Sequence, residues 1–515
     1  MRKSTQKLAF LEHEIQKVVR QFSSAELLLA VNGVMKKRSD AKSVAKEIDI
    51  PPFIAAAISS FAIRFSNPHR GHKKGALPLL EISDLVFKYL GSDPIAHDEE
   101  MAEEFRNSNP IFMLLRIAGS QFPFQVNTFA TAGQSLLLYG ELPKEIEADQ
   151  KVPKFNFSEA FKKITGLPLD DFIYSGFVAW AAFSSGNNLG LTREYFEKAR
   201  LQGMRLPSDE GIICMLNCIS ADPKRFREKY EEMKQKDRRF SVYDFNPLLT
   251  YPILRPWFNN VTKAMLSDRI IAPVPDLVAY RISTGIFYEM FNHYKTEFSD
   301  YFGHLFEAYA GRLLKASVGL QNLITKKSIR QTYPTSAGKT PDFVIMDGST
   351  VILVECKSTR FSLPALSTGA EESVNESLKQ VLTGLKQLFQ FKKALQERRP
   401  GLERFYHCTA IKPLLITFEP LYMINSKFFR KHVDNLLRKD GIHDLAWQIM
   451  DIKELECFQS HFQAGESISS TLSALESAPY NQVLNELADR TGRTYKDSML
   501  YKHDQEMYKQ LGVGD

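Results

Sequence analysis

Three charged residues in the second half of the chain have the types and the spacing for metal-assisted chemistry on a phosphate ester. Asp342 precedes one apolar run, and Glu355 and Lys357 end the next one. Two carboxylates can supply oxygen ligands to a hard cation such as Mg²⁺, which retains several of its waters. An ammonium group beside them can assist a metal-bound water and offset charge that develops on phosphorus. These residues therefore predict phosphoryl chemistry.

The two apolar runs, PDFVIM and VILVECK, predict an antiparallel hairpin that positions these charges. If the four residues after Met346 form its loop, Met346 faces Val351 and Asp342 faces Glu355. Facing residues have Cβ atoms about 5 Å apart, and the two-residue period of a strand places Lys357 on the face of Glu355. Opposed buried carboxylates repel unless one is protonated or a cation lies between them. A divalent metal between them is the simplest expectation.

The segment before the hairpin is expected to bring a third carboxylate. An apolar stripe predicts a helix over Tyr301–Leu314, and Glu307 lies beside that stripe. Gly303 and Gly311 lie four residues to either side of Glu307, so this helix surface could approach another backbone closely. Residues 328–333 then predict a strand.

The segment after the hairpin predicts a second helix and two more strands. Thr368 and Glu371 suggest a capping box, and an apolar stripe continues to about Arg399. Strands are predicted at Lys412–Glu419 and Trp447–Ile452. Because the hairpin is apolar on both faces, helices should cover both sides of the sheet.

The rest of the chain predicts a multidomain protein. Residues 1–295 read as a mostly α-helical recognition or regulatory region that could contain two subdomains. Residues 296–460 form the α/β core with a central mixed sheet flanked by helices, and residues 461–515 form a helical tail. Residues 39–61 fit either a helix-turn-helix DNA reader or a plain helical hairpin, and the apolar second helix favours the hairpin.

Composition limits the class of protein further. The 515 residues carry 66 basic and 60 acidic side chains, a net charge of +6 that permits a polyanionic partner without requiring one. No apolar run has the roughly 18 residues of a membrane span, and the N-terminus lacks a signal-peptide pattern, so a cytoplasmic protein is expected. The five cysteines are irregularly spaced, and Cys214 and Cys218 lack the second ligand pair of a structural zinc site.

The region from about residue 296 to 458 resembles the PD-(D/E)xK, or restriction-endonuclease-like, nuclease superfamily, whose core runs helix, three-stranded meander, helix, strand. Pro341 and Asp342 match the PD of its motif, and residues 355–357 match the ExK. Glu307 matches the acidic residue of the first core helix. The resemblance implies Mg²⁺, with Mn²⁺ as a substitute, as cofactor. The implied metal ligands are Glu307, Asp342, Glu355 and Cys356.

In the same family Lys357 would position the attacking water. Many members place a glutamine of the second core helix near the metal water or the phosphate, and Gln387 is the candidate here. In the RecB-like form the pattern is QxxxY, whereas Gln387 is followed by Phe391. The alternative for Gln387 is an ordinary surface glutamine.

The resemblance implies a nucleic-acid partner, with DNA favoured over RNA, and no membrane. A long helical region joined to such a core is similar to nucleases of bacterial anti-phage defence or mobile elements, which leaves a homo-oligomer or a regulatory protein partner open. The alternative function is a catalytically silent nuclease-fold protein that binds nucleic acid or supports an assembly. The third candidate function is that of a helix-turn-helix regulator.

Overall fold

The computed structural model describes residues 2–512 except 40–48, 68–76, 93–110, 125–130, 148, 186–190, 192, 256–269, 363–364, 367–370, 422–423 and 444. Within them the protein is mostly helical, with one central five-stranded mixed sheet between residues 323 and 451. The predicted fold class is confirmed at this level.

Among the described residues, thirteen α-helices precede the long helix that leads to the sheet. They are α1 Arg2–Val19, α2 Ser24–Ser39, α3 Pro52–Phe65, α4 Leu79–Leu90, α5 Ile111–Gln121, α6 Thr131–Ser135, α7 Leu142–Ile146, α8 Phe157–Thr165, α9 Leu169–Ser184, α10 Arg193–Leu201, α11 Asp209–Ile219, α12 Pro223–Met233 and α13 Asp276–Arg281. Two short strands, β1 Ser220–Ala221 and β2 Ile253–Leu254, pair in parallel.

Helix α3 is the second helix of the segment for which a DNA reader was considered. Nine of its 14 residues are buried, and it packs against α2 and α4. A recognition helix needs side chains free to reach base edges, and α3 uses most of its surface in the core. The first part of the considered motif, residues 40–48, lies outside the described residues. The helical hairpin is therefore favoured.

The second part of the chain builds the sheet and the helices around it. Its elements are α14 Thr284–Val318, β3 Leu323–Thr325, α15 Lys326–Thr332, β4 Phe343–Asp347, β5 Thr350–Lys357, α16 Glu371–Gln396, β6 Ala410–Thr417, α17 Lys427–Lys439, β7 Gln448–Asp451, α18 Ile452–Gln463, α19 Ile468–Ser477, α20 Tyr480–Thr491 and α21 Met499–Gln510. The strand order is β3-β4-β5-β6-β7. The first three strands form an antiparallel meander, and β5, β6 and β7 run parallel.

The hairpin β4–β5 has the predicted register. Met346 pairs with Val351 and Phe343 with Val354, so Asp342, one residue before β4, continues the ladder opposite Glu355. The loop is shorter than expected, because residues 347 and 350 also pair and leave only Gly348 and Ser349 between the strands. Gly348 has a φ of 61°, which glycine adopts at little cost in a two-residue turn.

The strand predicted at residues 328–333 is wrong. Residues 328–332 lie in helix α15, and Tyr333 directly follows its last residue. The helix begins after Thr325, whose side chain accepts a hydrogen bond from the backbone N–H of Ser328. Ile329 and Tyr333, four residues apart, are both 1% exposed. Buried side chains four residues apart lie on one face of a helix. The segment is therefore helical, although its residue types also occur often in strands. The strand of the meander lies earlier, at β3.

Two other predictions around the second helix can be compared with the structure. Helix α16 begins at Glu371 and ends at Gln396, close to the predicted end, while the predicted cap residue Thr368 lies outside the described residues. The predicted strands at 412–419 and 447–452 correspond to β6 and β7. The tail after residue 461 is helical, as predicted.

The chain divides into two compact units. The first consists of residues 1–140, 156–295 and 506–515, and the second of residues 141–155 and 296–505. The division falls after Lys295, where a φ of 46° interrupts α14. Residues 461–505 group with the second unit, and the predicted division of the chain into three regions stays a prediction. No described helix has both the length and the apolarity to cross a membrane.

Candidate active site at the carboxyl edge of the sheet

Asp342 is held in place by two donors. Its Oδ2 accepts a hydrogen bond from the backbone N–H of Cys356 at 2.9 Å, and its Oδ1 accepts from Lys326 Nζ at 2.7 Å. The residue is 4% exposed. The first bond fixes the carboxylate against the neighbouring strand, as expected from the register of the hairpin. The second brings in a cation that sequence reasoning did not identify.

Glu355 is the most deeply buried charged group of the site, at 1% exposed. Its Oε1 accepts a hydrogen bond from Lys357 Nζ at 2.8 Å, whereas its Oε2 is buried without a hydrogen-bond partner. Burial is the main cause that raises the pKa of Glu355 to about 7, and the negative charge of Asp342 adds to it. The positive charge of Lys357 acts in the opposite direction and lowers this pKa. A buried carboxylate oxygen without a partner costs about 1–3 kcal/mol or more. It is therefore a position where a ligand would be stabilising.

Lys357 lies on the face of Glu355, as predicted, and it also reaches the helix that covers this face. Its Nζ donates to Gln387 Oε1 at 3.2 Å. A Cβ on Gly384 would lie 3.3 Å from Lys357 Cε and 2.6 Å from Leu415 Cδ1. Glycine at 384 therefore gives the lysine side chain its space under α16. Gln387 belongs to the cluster rather than to the open surface.

Glu307 approaches from the other face of the sheet. On the same helix, a Cβ on Gly311 would lie 2.7 Å from the ring of Phe343, whose side chain shares a face with Val354 and not with Glu355. Burial, and then the charge of Asp342, raise the pKa of Glu307 to about 7, while Lys326 and Lys357 lower it. The charges of Asp342, Lys326 and Lys357 therefore act on Glu307, which makes it part of the same electrostatic cluster.

The two glycines beside Glu307 behave differently. Gly311 permits the close approach that the sequence predicted, whereas nothing lies within 4 Å of a Cβ on Gly303. The apolar stripe of the helix is confirmed, with seven side chains at most 1% exposed: Phe298, Tyr301, Phe302, Leu305, Phe306, Tyr309 and Leu313. The helix is thus anchored by its apolar stripe and by one glycine.

Cys356 takes part in the site through its backbone, whose N–H donates to Asp342 Oδ2. Its thiol is buried, and burial followed by the nearby carboxylates raises its pKa well above the usual range. Alternation along β5 also points this side chain away from the face of Glu355 and Lys357. A neutral buried thiol is a poor metal ligand. If Cys356 binds the metal as predicted, its ligand atom is therefore the backbone carbonyl oxygen and not the thiol.

Lys326 is the member of the site that sequence reasoning missed. It is the first residue of α15, its backbone N–H donates to the Asp342 carbonyl at 2.8 Å, and its side chain pairs with the Asp342 carboxylate. The missed signal was Thr325 followed three residues later by Ser328, a possible helix start. Reading this segment as a strand placed Lys326 outside the site.

The carboxylates of the site are thus compensated by lysines. Within the described part of the chain, no group of three or more His, Cys, Asp and Glu side chains is arranged to hold a metal ion. The Asp342 carboxylate is paired with Lys326 and the Glu355 carboxylate with Lys357. A metal could still bind through two carboxylates with water in its other positions, because Mg²⁺ often retains several waters.

No family model matches the sequence, and neither a curated protein nor a solved structure matches it. Any statement about function therefore rests on the residues and geometry of the site.

Proposed function

We propose that the chain is a metal-dependent nuclease that hydrolyses phosphodiester bonds, with DNA as the favoured substrate. The carrying observation is the Glu355 carboxylate, which is buried, has an oxygen without a partner and lies beside a lysine. A purely structural ion pair would be expected to satisfy its buried oxygens. A carboxylate kept in this condition is suited to receive a cation.

The chain order supports this proposal. A helix that carries Glu307 is followed by the meander β3–β4–β5, the helix α16 and the parallel strand β6. This is the order expected of the restriction-endonuclease-like core. Fold alone does not establish activity, so the argument depends on the residues that this order brings together.

The residues have separate roles in the proposed reaction. Asp342 and Glu355 would hold Mg²⁺ or Mn²⁺, with Glu307 and the Cys356 carbonyl as further oxygen donors. The metal would supply a water of lowered pKa and a positive charge for the phosphate oxygens. Lys357 would orient the attacking water and offset negative charge, and Gln387 would hold the lysine in position through the bond to its Nζ.

The direct test is hydrolysis by the full-length chain. Plasmid, linear and single-stranded DNA and RNA would be incubated with Mg²⁺, Mn²⁺ or EDTA, in parallel with Lys357→Ala. We expect cleavage that requires the metal and falls by about 100-fold or more in the variant. Equal cleavage by the variant, or cleavage in EDTA, contradicts the proposal.

A second candidate is a catalytically silent protein that binds nucleic acid with the same fold. The observation in its favour is that Lys326 and Lys357 already neutralise Asp342 and Glu355. A silent protein would bind nucleic acid and leave it intact with every divalent metal. The unpartnered oxygen of Glu355 favours the nuclease, because a site retained only for stability gains nothing from it.

A further inference from the structure

A strongly basic surface adjoins the candidate active site. We call it the α15 surface and define it as residues 326–339 and 397–407. It contains four lysines and arginines in the first segment and three arginines in the second, against two glutamates. The excess of basic over acidic residues in these two segments makes the surface attractive to a polyanion.

The two segments form one surface, because side chains join them. Arg404 Nη1 donates to Ser328 Oγ at 3.3 Å, and Thr332 Oγ1 donates to the Gly401 carbonyl at 2.7 Å. The surface reaches the active site through Lys326, whose Nζ lies 2.7 Å from Asp342 Oδ1. A chain of phosphates lying on this surface would therefore lead to the carboxylates.

The acidic residues of the surface are already engaged. Glu397 pairs with Arg399 at 2.8 Å, and Glu403 accepts the backbone N–H of Gly401 at 2.8 Å. Lys327, Lys339 and Arg404 are exposed and pair with none of the described carboxylates. Exposed cations without acidic partners remain available to an external anion.

Arg398 gives a second and independent sign of a binding role. It has a φ of 49°, the left-handed region that favours glycine. The backbone bonds from Arg398 N–H to the Leu395 carbonyl and from Arg399 N–H to the Ala394 carbonyl form the helix-ending motif in which this position is usually glycine. An arginine here costs backbone energy. Its exposed guanidinium lies over the Tyr406 ring, 5.7 Å from the centroid, and remains accessible to an external anion.

We propose that the α15 surface binds the phosphate backbone of the nucleic acid that the site cleaves. This inference rests on the proposed nuclease function and names the surface that delivers its substrate. Cations at these positions read charge rather than base sequence, so affinity should fall steeply with salt. DNA and RNA share this backbone chemistry, and the test separates them.

Binding would be measured by fluorescence anisotropy with labelled duplex DNA, single-stranded DNA and RNA, using the full-length Lys357→Ala chain to prevent cleavage. One variant carries Lys327→Gln, Lys339→Gln and Arg404→Gln. Its matched control carries Lys439→Gln, Lys496→Gln and Lys502→Gln, three exposed lysines elsewhere in the second unit. We expect affinity to fall on the order of tenfold in the first variant, with a salt slope smaller by about 0.9 for each duplex phosphate contact removed.

Arg398→Gly tests the same surface without a risk of misfolding. Glycine relieves the left-handed backbone, so the midpoint of thermal unfolding should rise while nucleic-acid affinity falls. Wild-type affinity in both Arg398→Gly and the triple variant overturns the inference, as does an equal loss in the control. If these variants bind normally but cleavage still requires Lys357, the inference fails and the nuclease stands. If the α15 surface binds nucleic acid that is never cleaved with Mg²⁺ or Mn²⁺, the nuclease proposal fails instead.

Discussion

Two acidic pairs lie at the carboxyl edge of the same sheet, and they are built differently. At the end of β5 and beside the start of β4 are Glu355 and Asp342, and at the end of β7 is Asp451, followed by Glu454. The strands β5 and β7 run parallel to the intervening β6, so their ends share one edge. Burial is the largest cause that raises the pKa of Glu355, Asp451 and Glu454.

The difference lies in how the oxygens are satisfied. Asp451 Oδ1 accepts the backbone N–H of Glu454 at 2.9 Å, and Glu454 Oε2 accepts the backbone N–H of Asp451 at 2.9 Å. This capping box closes the start of α18. In the other pair, Lys326, Lys357 and the backbone N–H of Cys356 supply the donors, and Glu355 Oε2 is left without one. Because both pairs have a raised pKa, that shift does not distinguish them, and the proposed function rests on the unpartnered oxygen of Glu355 beside Lys357.

The largest expected effect is a difference in cleavage activity between a variant of the Asp342–Glu355 pair and a variant of the Asp451–Glu454 pair. Glu355→Gln should reduce cleavage by about 100-fold or more, because it removes a ligand charge from the proposed metal site. Glu454→Gln should leave cleavage unchanged, since its amide oxygen can still accept the Asp451 N–H. Initial rates with Mg²⁺ measure both. A comparable loss in the two variants would remove the distinction drawn between the pairs.

The second effect tests the packing of Lys357 in the proposed active site. In Gly384→Ala, the new Cβ would press on Leu415 and displace Lys357. We expect about tenfold or more loss of cleavage and about 1–3 kcal/mol loss of unfolding free energy. Rates and denaturant unfolding measure the two quantities.

Gly303→Ala is the matched helix control, because nothing lies within 4 Å of its Cβ. It should raise the unfolding free energy by up to about 1 kcal/mol and preserve cleavage. Full activity in Gly384→Ala would show that the position of Lys357 is unimportant.

The third effect concerns the lysine that pairs with Asp342. Lys326→Met removes a cation next to a proposed metal ligand, so Mg²⁺ should bind several-fold more tightly by titration calorimetry. Without metal the variant should be less stable, because Asp342 is buried and loses its ion-pair partner. Mg²⁺ should restore that stability more than in wild type.

Lys327→Met, at the exposed neighbouring residue, should change neither metal affinity nor metal-free stability. Unchanged Mg²⁺ affinity in Lys326→Met would show that this lysine does not compete for the site. If neither protein bound Mg²⁺, the proposed metal site itself would be wrong.

The smallest effect is the pH dependence of the structural pair. Burial, and then the charge of Asp451, raise the pKa of Glu454 to about 8 from an ordinary value of 4.5. A raised pKa means that the folded chain holds the proton more tightly. The resulting stability is full below about pH 4.5 and is lost as pH rises through about 8.

Glu454→Gln does not ionise and should escape this loss. Its unfolding free energy should exceed that of wild type at alkaline pH, with the gap closing near pH 4.5. Thermal unfolding across this range measures the difference, with the exposed Glu486→Gln as control. A gap independent of pH would mean that Glu454 ionises normally in the folded chain.

The hairpin could be predicted in detail, whereas its surroundings could not. An assumed loop of residues 347–350 gave the register that pairs Met346 with Val351, and only the length of the loop was wrong. Residues 328–333 were wrongly predicted as a strand, because short segments satisfy more than one period and Thr325 was not recognised as a cap. The same error hid Lys326. The helices of residues 1–295 were predicted as a class, without their packing.

Sequence by itself determined which charged residues share a strand face, because the two-residue period is local and links Glu355 to Lys357 directly. Tertiary structure alone decided which donors reach them. Lys326 is 16 residues from Asp342 in the chain, and Gln387 is 30 residues from Lys357. Those separations in sequence are closed by α15, which begins at Lys326, and by α16, which approaches Lys357 and Leu415 at Gly384. The unpartnered oxygen of Glu355 is likewise a product of packing, because satisfaction of a buried atom depends on every element around it.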